Sequence, residues 1–218
     1  MSKVKRTVVS VLVIASMAFG LASCGGSGDK EKFVGTWNTN VDLTDFVNEQ
    51  VQAGLDAVGA DAAEYFNLGE FGFMLDFTFN SDDTYSIAVD EDSLNSSVES
   101  VKNSFKDGFT AYVENMITTT GVDMTVDEML ALSGTSMDEV VDAGFSDEII
   151  NGMIEEFEIN GKWDARDGKL YTSESVNADI DESSYDLYEI NGDSIKLSLP
   201  EGQEDELGVF PLVLKKAA

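Results

Sequence analysis

Cys24 is the one thiol in 218 residues, and no histidine accompanies it anywhere in the chain. A single cysteine cannot close a disulfide within the chain or build a thiolate metal cluster. Without histidine there is no Ser-His or Cys-His nucleophilic pair, no imidazole-held zinc or haem, and no ordinary proton shuttle at neutral pH. What remains is carboxylate chemistry, from 42 Asp and Glu against 13 Lys and Arg. Two facing carboxyls can hydrolyse a glycosidic bond, but so many acids form close pairs by chance and spacing singles none out. Asp164-Ala165-Arg166-Asp167-Gly168 comes nearest to a calcium loop, yet Arg166 interrupts it, and a hairpin turn explains it better. No glycine-rich phosphate cradle follows a strand, and Ser93 to Lys106 reads as an amphipathic helix rather than a Ser-Lys dyad. The reading is a chain with no catalytic residues, no metal and no cofactor.

The position of the thiol is more informative than its chemistry. Lys3, Lys5 and Arg6 precede a mostly apolar, uncharged run from Thr7 to Gly20. That run is shorter than the ~20 residues a spanning helix needs, so it reads as an export signal. Leu21-Ala22-Ser23-Cys24 then resembles the lipobox of bacterial lipoproteins. The resemblance implies that residues 1–23 are a signal peptide cut after Ser23. It also implies that Cys24 carries a diacylglycerol thioether and that its new amine receives a further, palmitate-type chain. Two or three chains make a durable anchor where one does not. Residues 24–31 are expected to be a flexible tether, Gly25-Gly26-Ser27-Gly28-Asp29-Lys30-Glu31 following the lipidated residue. The expected place is the extracytoplasmic face of the cell membrane or outer membrane, with the lipid as the contact to the bilayer.

Formal net charge is −29, and removing residues 1–23 takes away three cationic residues and no acids, leaving −32. Such a surface repels phosphate backbones and anionic headgroups alike, so nucleic acid is not an expected partner. With 13 Phe, 6 Tyr and 2 Trp the chain is nonetheless rich enough in apolar groups to bury a core.

Alternating apolar residues mark strands near both ends. Lys32–Asn40 reads as the first; Phe73, Leu75, Phe77 and Phe79 share one face of the second; Tyr85, Ile87 and Val89 follow the turn Asn80-Ser81-Asp82-Asp83. Phe157–Trp163, Leu170–Glu174, Tyr185–Ile190, Ile195–Leu199 and Val209–Lys215 complete about eight strands, with hairpin turns at Arg166-Asp167-Gly168 and Asn191-Gly192-Asp193. Pro211 suggests an edge or closing position for the last. Helical spacing fills the middle. Leu43, Phe46, Val47, Val51, Leu55 and Val58 make one stripe; Leu94, Val98, Val101, Phe105, Phe109, Tyr112 and Met116 make a longer one, with Asp90, Glu91 and Asp92 at its N-terminus. Thr125 with Glu128 and Ser136 with Glu139 form two capping boxes eleven residues apart, closing at Gly134 and Gly144, before a last helix from Ser146 to Glu156. The fold class expected is α+β: an antiparallel meander sheet or barrel in a single domain, residues 32–218, with a multi-helix insertion at about 91–156 packed on the β unit.

Gly35-Thr36-Trp37 in the first strand resembles the Gly-x-Trp signature of lipocalin-like β-barrels, and Gly161-Lys162-Trp163 repeats it. The resemblance covers the strand-bearing parts, roughly residues 32–90 and 157–216. It implies that the tryptophan closes one end of the barrel and that a small apolar ligand binds inside, with Trp37, Phe73, Phe77, Trp163 and Tyr185 as ligand-facing candidates and Leu187 beside Tyr185. Three functions stay open: a non-enzymatic, membrane-anchored domain binding a small apolar ligand or a protein; an envelope interaction module with a filled core; and a carboxylate-dependent glycan hydrolase.

Overall fold

The structure, a computed structural model, describes residues 29–56, 62–205 and 207–217. The export segment, Cys24 and Val58 of the first helical stripe lie outside the described residues. The chain divides into two compact units: one holds the strands, the other gathers Asp42–Gly72 with Glu91–Met153.

The first unit contains β1 (Gly35–Asp42), β2 (Gly72–Phe79), β3 (Thr84–Val89), β4 (Ile159–Arg166), β5 (Lys169–Thr172), β6 (Asp186–Asn191), β7 (Ser194–Ser198) and β8 (Leu212–Lys216). Strands adjacent in sequence are adjacent in space, and β8 returns to β1 through Trp37↔Lys216 and Asn38↔Lys215. The result is a closed, lipocalin-like antiparallel barrel, in which no edge is left to pair with another chain. Alternation does the sorting: Phe73, Leu75, Phe77 and Phe79 all turn inward and are buried, as are Tyr85, Ile87 and Val89 on β3. Asp167 and Gly168 both adopt positive φ, the requirement of the two-residue turn that joins Arg166 to Lys169. The last strand starts at Leu212, one residue after Pro211, which has no N–H to give a ladder.

One end of the barrel is sealed by residues read from sequence as tether and strand. Lys30–Phe33 is a single helical turn, α1, and β1 begins only at Gly35. Phe33 is fully buried, edge-on to Phe79 at 5.3 Å and to Tyr188 at 4.9 Å, with Trp163 at 5.6 Å. The Trp37 Nε1–H donates to the Phe33 carbonyl at 2.6 Å, satisfying an indole that is otherwise enclosed. Lys30 reaches Asp83 at 2.7 Å and Asp164 at 3.4 Å, and the Tyr188 hydroxyl donates to Asp29 at 3.2 Å. The expected tether therefore ends at Asp29. In a chain this acidic, a lysine beside two carboxylates, one in the β2–β3 turn and one on β4, has a strong reason to dock.

The second unit contains α2 (Thr44–Asp56), a 3₁₀ turn at Ala63–Tyr65, α3 (Glu91–Thr120), α4 (Val126–Leu132), α5 (Met137–Gly144) and most of α6 (Asp147–Phe157). Both capping boxes form, Thr125 with Glu128 and Ser136 with Glu139. The long stripe of α3 is partnered within the unit: Phe105 meets Phe66 at 5.2 Å and Phe145 at 5.9 Å, and Tyr112 meets Tyr65 at 5.8 Å. Gly108 lies where the Tyr65–Phe66 backbone crosses the helix; a Cβ there would sit 2.6 Å from the Tyr65 carbonyl oxygen.

Gly161 of β4 is the tighter case. A Cβ would fall 1.7 Å from the Ser173 carbonyl oxygen and 2.7 Å from the Tyr85 ring. Backbone cannot swing aside as a side-chain tip can, so Gly161→Ala is expected to cost more than about 3 kcal/mol in urea denaturation. Gly152 in α6 has open space around its α-carbon, and Gly152→Ala should stabilise by about 0.5–1 kcal/mol. Equal effects at the two positions would contradict the packing described here.

Candidate functional site

Away from the aromatic seal, toward the end where β1 finishes and β8 begins, the barrel interior is not filled. A cavity of about 70 Å³ remains, walled by Leu75 and Phe77 of β2, Ile87 of β3, Leu197 of β7, and the loop residues Val209 and Phe210. The last turn of α6, Glu156 and Phe157, also borders it. A site that holds one water takes roughly 10–15 Å³, so there is room for about five water-sized groups. The Phe210 loop is held by Asp205, whose carboxylate accepts from the Phe210 N–H at 2.7 Å.

Polarity enters the cavity at few points. Asp186, first residue of β6, lines it and is only 4% exposed. Among the described residues nothing hydrogen-bonds its carboxyl, and burial alone pushes its pKa up to about 7. Tyr85 of β3 and Thr172 of β5 line the same space. Burial raises the Tyr85 phenol above its ordinary range; a hydrogen bond with Thr172 opposes this, and the charges of Asp186 and Glu174 reinforce it. The arrangement is a largely apolar chamber with one buried acid that has no hydrogen-bond partner among the described residues, two hydroxyls, and the half-buried Glu156 at its border.

The sequence-derived candidates are distributed unevenly around this chamber. Phe77 lines it. Phe73 is buried two inward positions back along the same face, edge-on to Phe157 at 5.1 Å, and is not part of the lining. Trp37 and Trp163 belong to the sealed end; the Trp163 Nε1–H donates to the Asn80 carbonyl at 3.2 Å, and Lys30 sits over its ring at 5.3 Å. Tyr185 is outside the lining, with the Lys169 ammonium 3.9 Å from its ring centre and Tyr171 at 5.8 Å. Leu187 is 39% exposed on the outer face, where it pairs with Lys169.

The inward residues of β6 are thus Asp186 and Tyr188, the opposite phase from Tyr185 and Leu187. The hairpin contains the signal that reveals this. Residues directly opposite in an antiparallel pair share a face. Counting back from the turn pairs Tyr188 with Leu197, and Leu197 with Ile195 is the apolar face of β7. Asp186, two residues before Tyr188, must then face inward too. Apolarity taken strand by strand hides this, because the inward residue is an acid.

Among the described residues no group of three acids could hold a metal ion, and no helix is long and apolar enough to cross a membrane. Leu132, Val122 and Ile149 are exposed in the helical unit, as single apolar residues on most protein surfaces are.

Unfolded Asp titrates near 3.9, and Asp186 in the barrel near 7. Between those values the folded state keeps a proton the unfolded state has lost, so stability falls as pH rises through this window and levels off above it. Relative to Asp186→Asn, the wild type is expected to lose on the order of 3 kcal/mol between pH 5 and pH 8 in denaturant titrations. Parallel curves for the two proteins would show that the carboxyl is not buried as described. Comparison with family models, with curated proteins and with solved structures finds no match to this chain.

Proposed function

We propose that this protein is a lipid-anchored, extracytoplasmic barrel that binds a small, largely apolar molecule and does not transform it. The observation that carries the reading is the chamber itself: a barrel sealed by Phe33 at one end keeps about 70 Å³ unfilled at the other. Packed interiors rarely retain such space without use. The leader and Cys24 supply the address, and the tether is short, because the chain is already docked at Asp29.

Size argues against a glycan hydrolase. Asp186 and Glu156 both border the cavity, and a raised carboxyl pKa suits a general acid. Yet the chamber is well below the roughly 300 Å³ at which ligand pockets for ring-sized molecules begin. Among the described residues a protein-interaction role draws on single exposed apolar side chains, Val122, Leu132 and Ile149 in the helical unit and Val176, Leu187 and Val213 in the barrel unit.

Two experiments test the proposal. Cys24→Ala should move the protein out of the membrane fraction of native cells; full retention would mean a different anchor. Titration with n-pentanol should shift the methyl resonances of Ile87 and Leu197 while leaving Val98, in the other unit, unchanged. Absence of any shift with millimolar n-pentanol and with n-pentylamine alike would sink the ligand-binding reading.

A further inference from the structure

The chamber's chemistry narrows what enters it; this inference deepens the ligand-binding reading and rests on it. We infer that the chamber selects a short alkyl chain ending in a hydrogen-bond donor, an ammonium above all, and that Asp186 is the residue that selects it. A buried carboxyl with no donor among the described residues is an acceptor left open. It lies in the lining rather than behind it, so a ligand reaches it without displacing a protein group. Buried polar groups are normally satisfied, and an orphan facing a cavity marks where a partner belongs.

The neighbours fix the sign. The other polar residues that line the chamber are Tyr85 of β3, Thr172 of β5 and Glu156 of α6, with Glu174 acting on Tyr85 from beyond β5. None of these is a cation. The chain's lysines and Arg166 that have described partners are engaged elsewhere: Lys30 with Asp83 and Asp164, Lys169 over Tyr185, Arg166 with Asp164 and Glu182. A carboxylate-headed ligand such as a fatty acid would meet an acid with nothing to balance it. An ammonium head would neutralise Asp186 and leave its short chain against Phe77, Ile87 and Leu197. A neutral alcohol can donate to the same oxygen but brings no charge.

The size of the chamber sets the chain length to a few carbons, so n-pentylamine, n-pentanol and n-pentanoate are matched probes. Isothermal titration of the purified protein at pH 8 should give amine affinity at least tenfold above pentanoate and several-fold above pentanol. Between pH 6 and pH 8 the amine should gain several-fold as Asp186 loses its proton, while pentanol changes little. Asp186→Asn, checked for folding by its Ile87 and Leu197 methyl shifts, should lose the preference for amine over alcohol. Should Asn prevent folding, the ranking of probes on the wild type decides alone. Pentanoate binding as tightly as the amine, or unchanged amine affinity in Asp186→Asn, overturns the inference. Pentanol binding without any amine preference overturns the inference and leaves the ligand-binding reading standing; no binding by any probe removes both.

Discussion

An ionised carboxyl in an apolar interior must be paired, solvated or neutral, because transfer from water costs far more than any single contact returns. Asp186 is enclosed by a barrel whose walls are Leu, Ile and Phe, and no described group pairs with it. It therefore holds its proton to near neutrality. That one constraint links the fold to its use. It explains why the chamber can stay open around an acid, why its occupant should bring a donor, and why the protein should be more stable in mild acid than at neutral pH.

The chamber exists because the opposite end is closed. Phe33, Phe79, Trp163 and Tyr188 interlock edge to face, a geometry that adds to their area burial. Both indole N–H groups find backbone carbonyls, so the seal carries its polar atoms without penalty. Lys30 ties this cluster to Asp83 in the β2–β3 turn and to Asp164 on β4. The seal begins at Lys30, so the described N-terminal segment joins the barrel at its closed end.

Much of this was legible in the residues. Phe73 to Phe79 alternate without interruption, the Asp-Gly and Asn-Gly turns set the hairpins, and two capping boxes eleven residues apart give α4 and α5 their starts. The seal was less so, since Lys30–Phe33 follows a glycine-rich stretch and makes only one helical turn. Its docking depends on Asp83 and Asp164, about 50 and 130 residues further on, which no local pattern relates to Lys30. Asp186 was hidden by composition. As one of 42 acids it looks like surface, and only the register of the β6–β7 hairpin turns it inward. Tyr185 and Leu187 are where a reader of hydrophobicity would look, yet Leu187 faces out and Tyr185, half-buried against Tyr171, lies outside the chamber lining.

The most direct test is the titration of the Asp186 carboxyl carbon by NMR in the ligand-free protein. If a lone acid faces a dry, apolar chamber, its midpoint lies near 7. A midpoint near 4, the value of a solvated Asp, would mean that water or a protein donor already serves this carboxyl, and that the chamber offers no unpaired acceptor to a ligand.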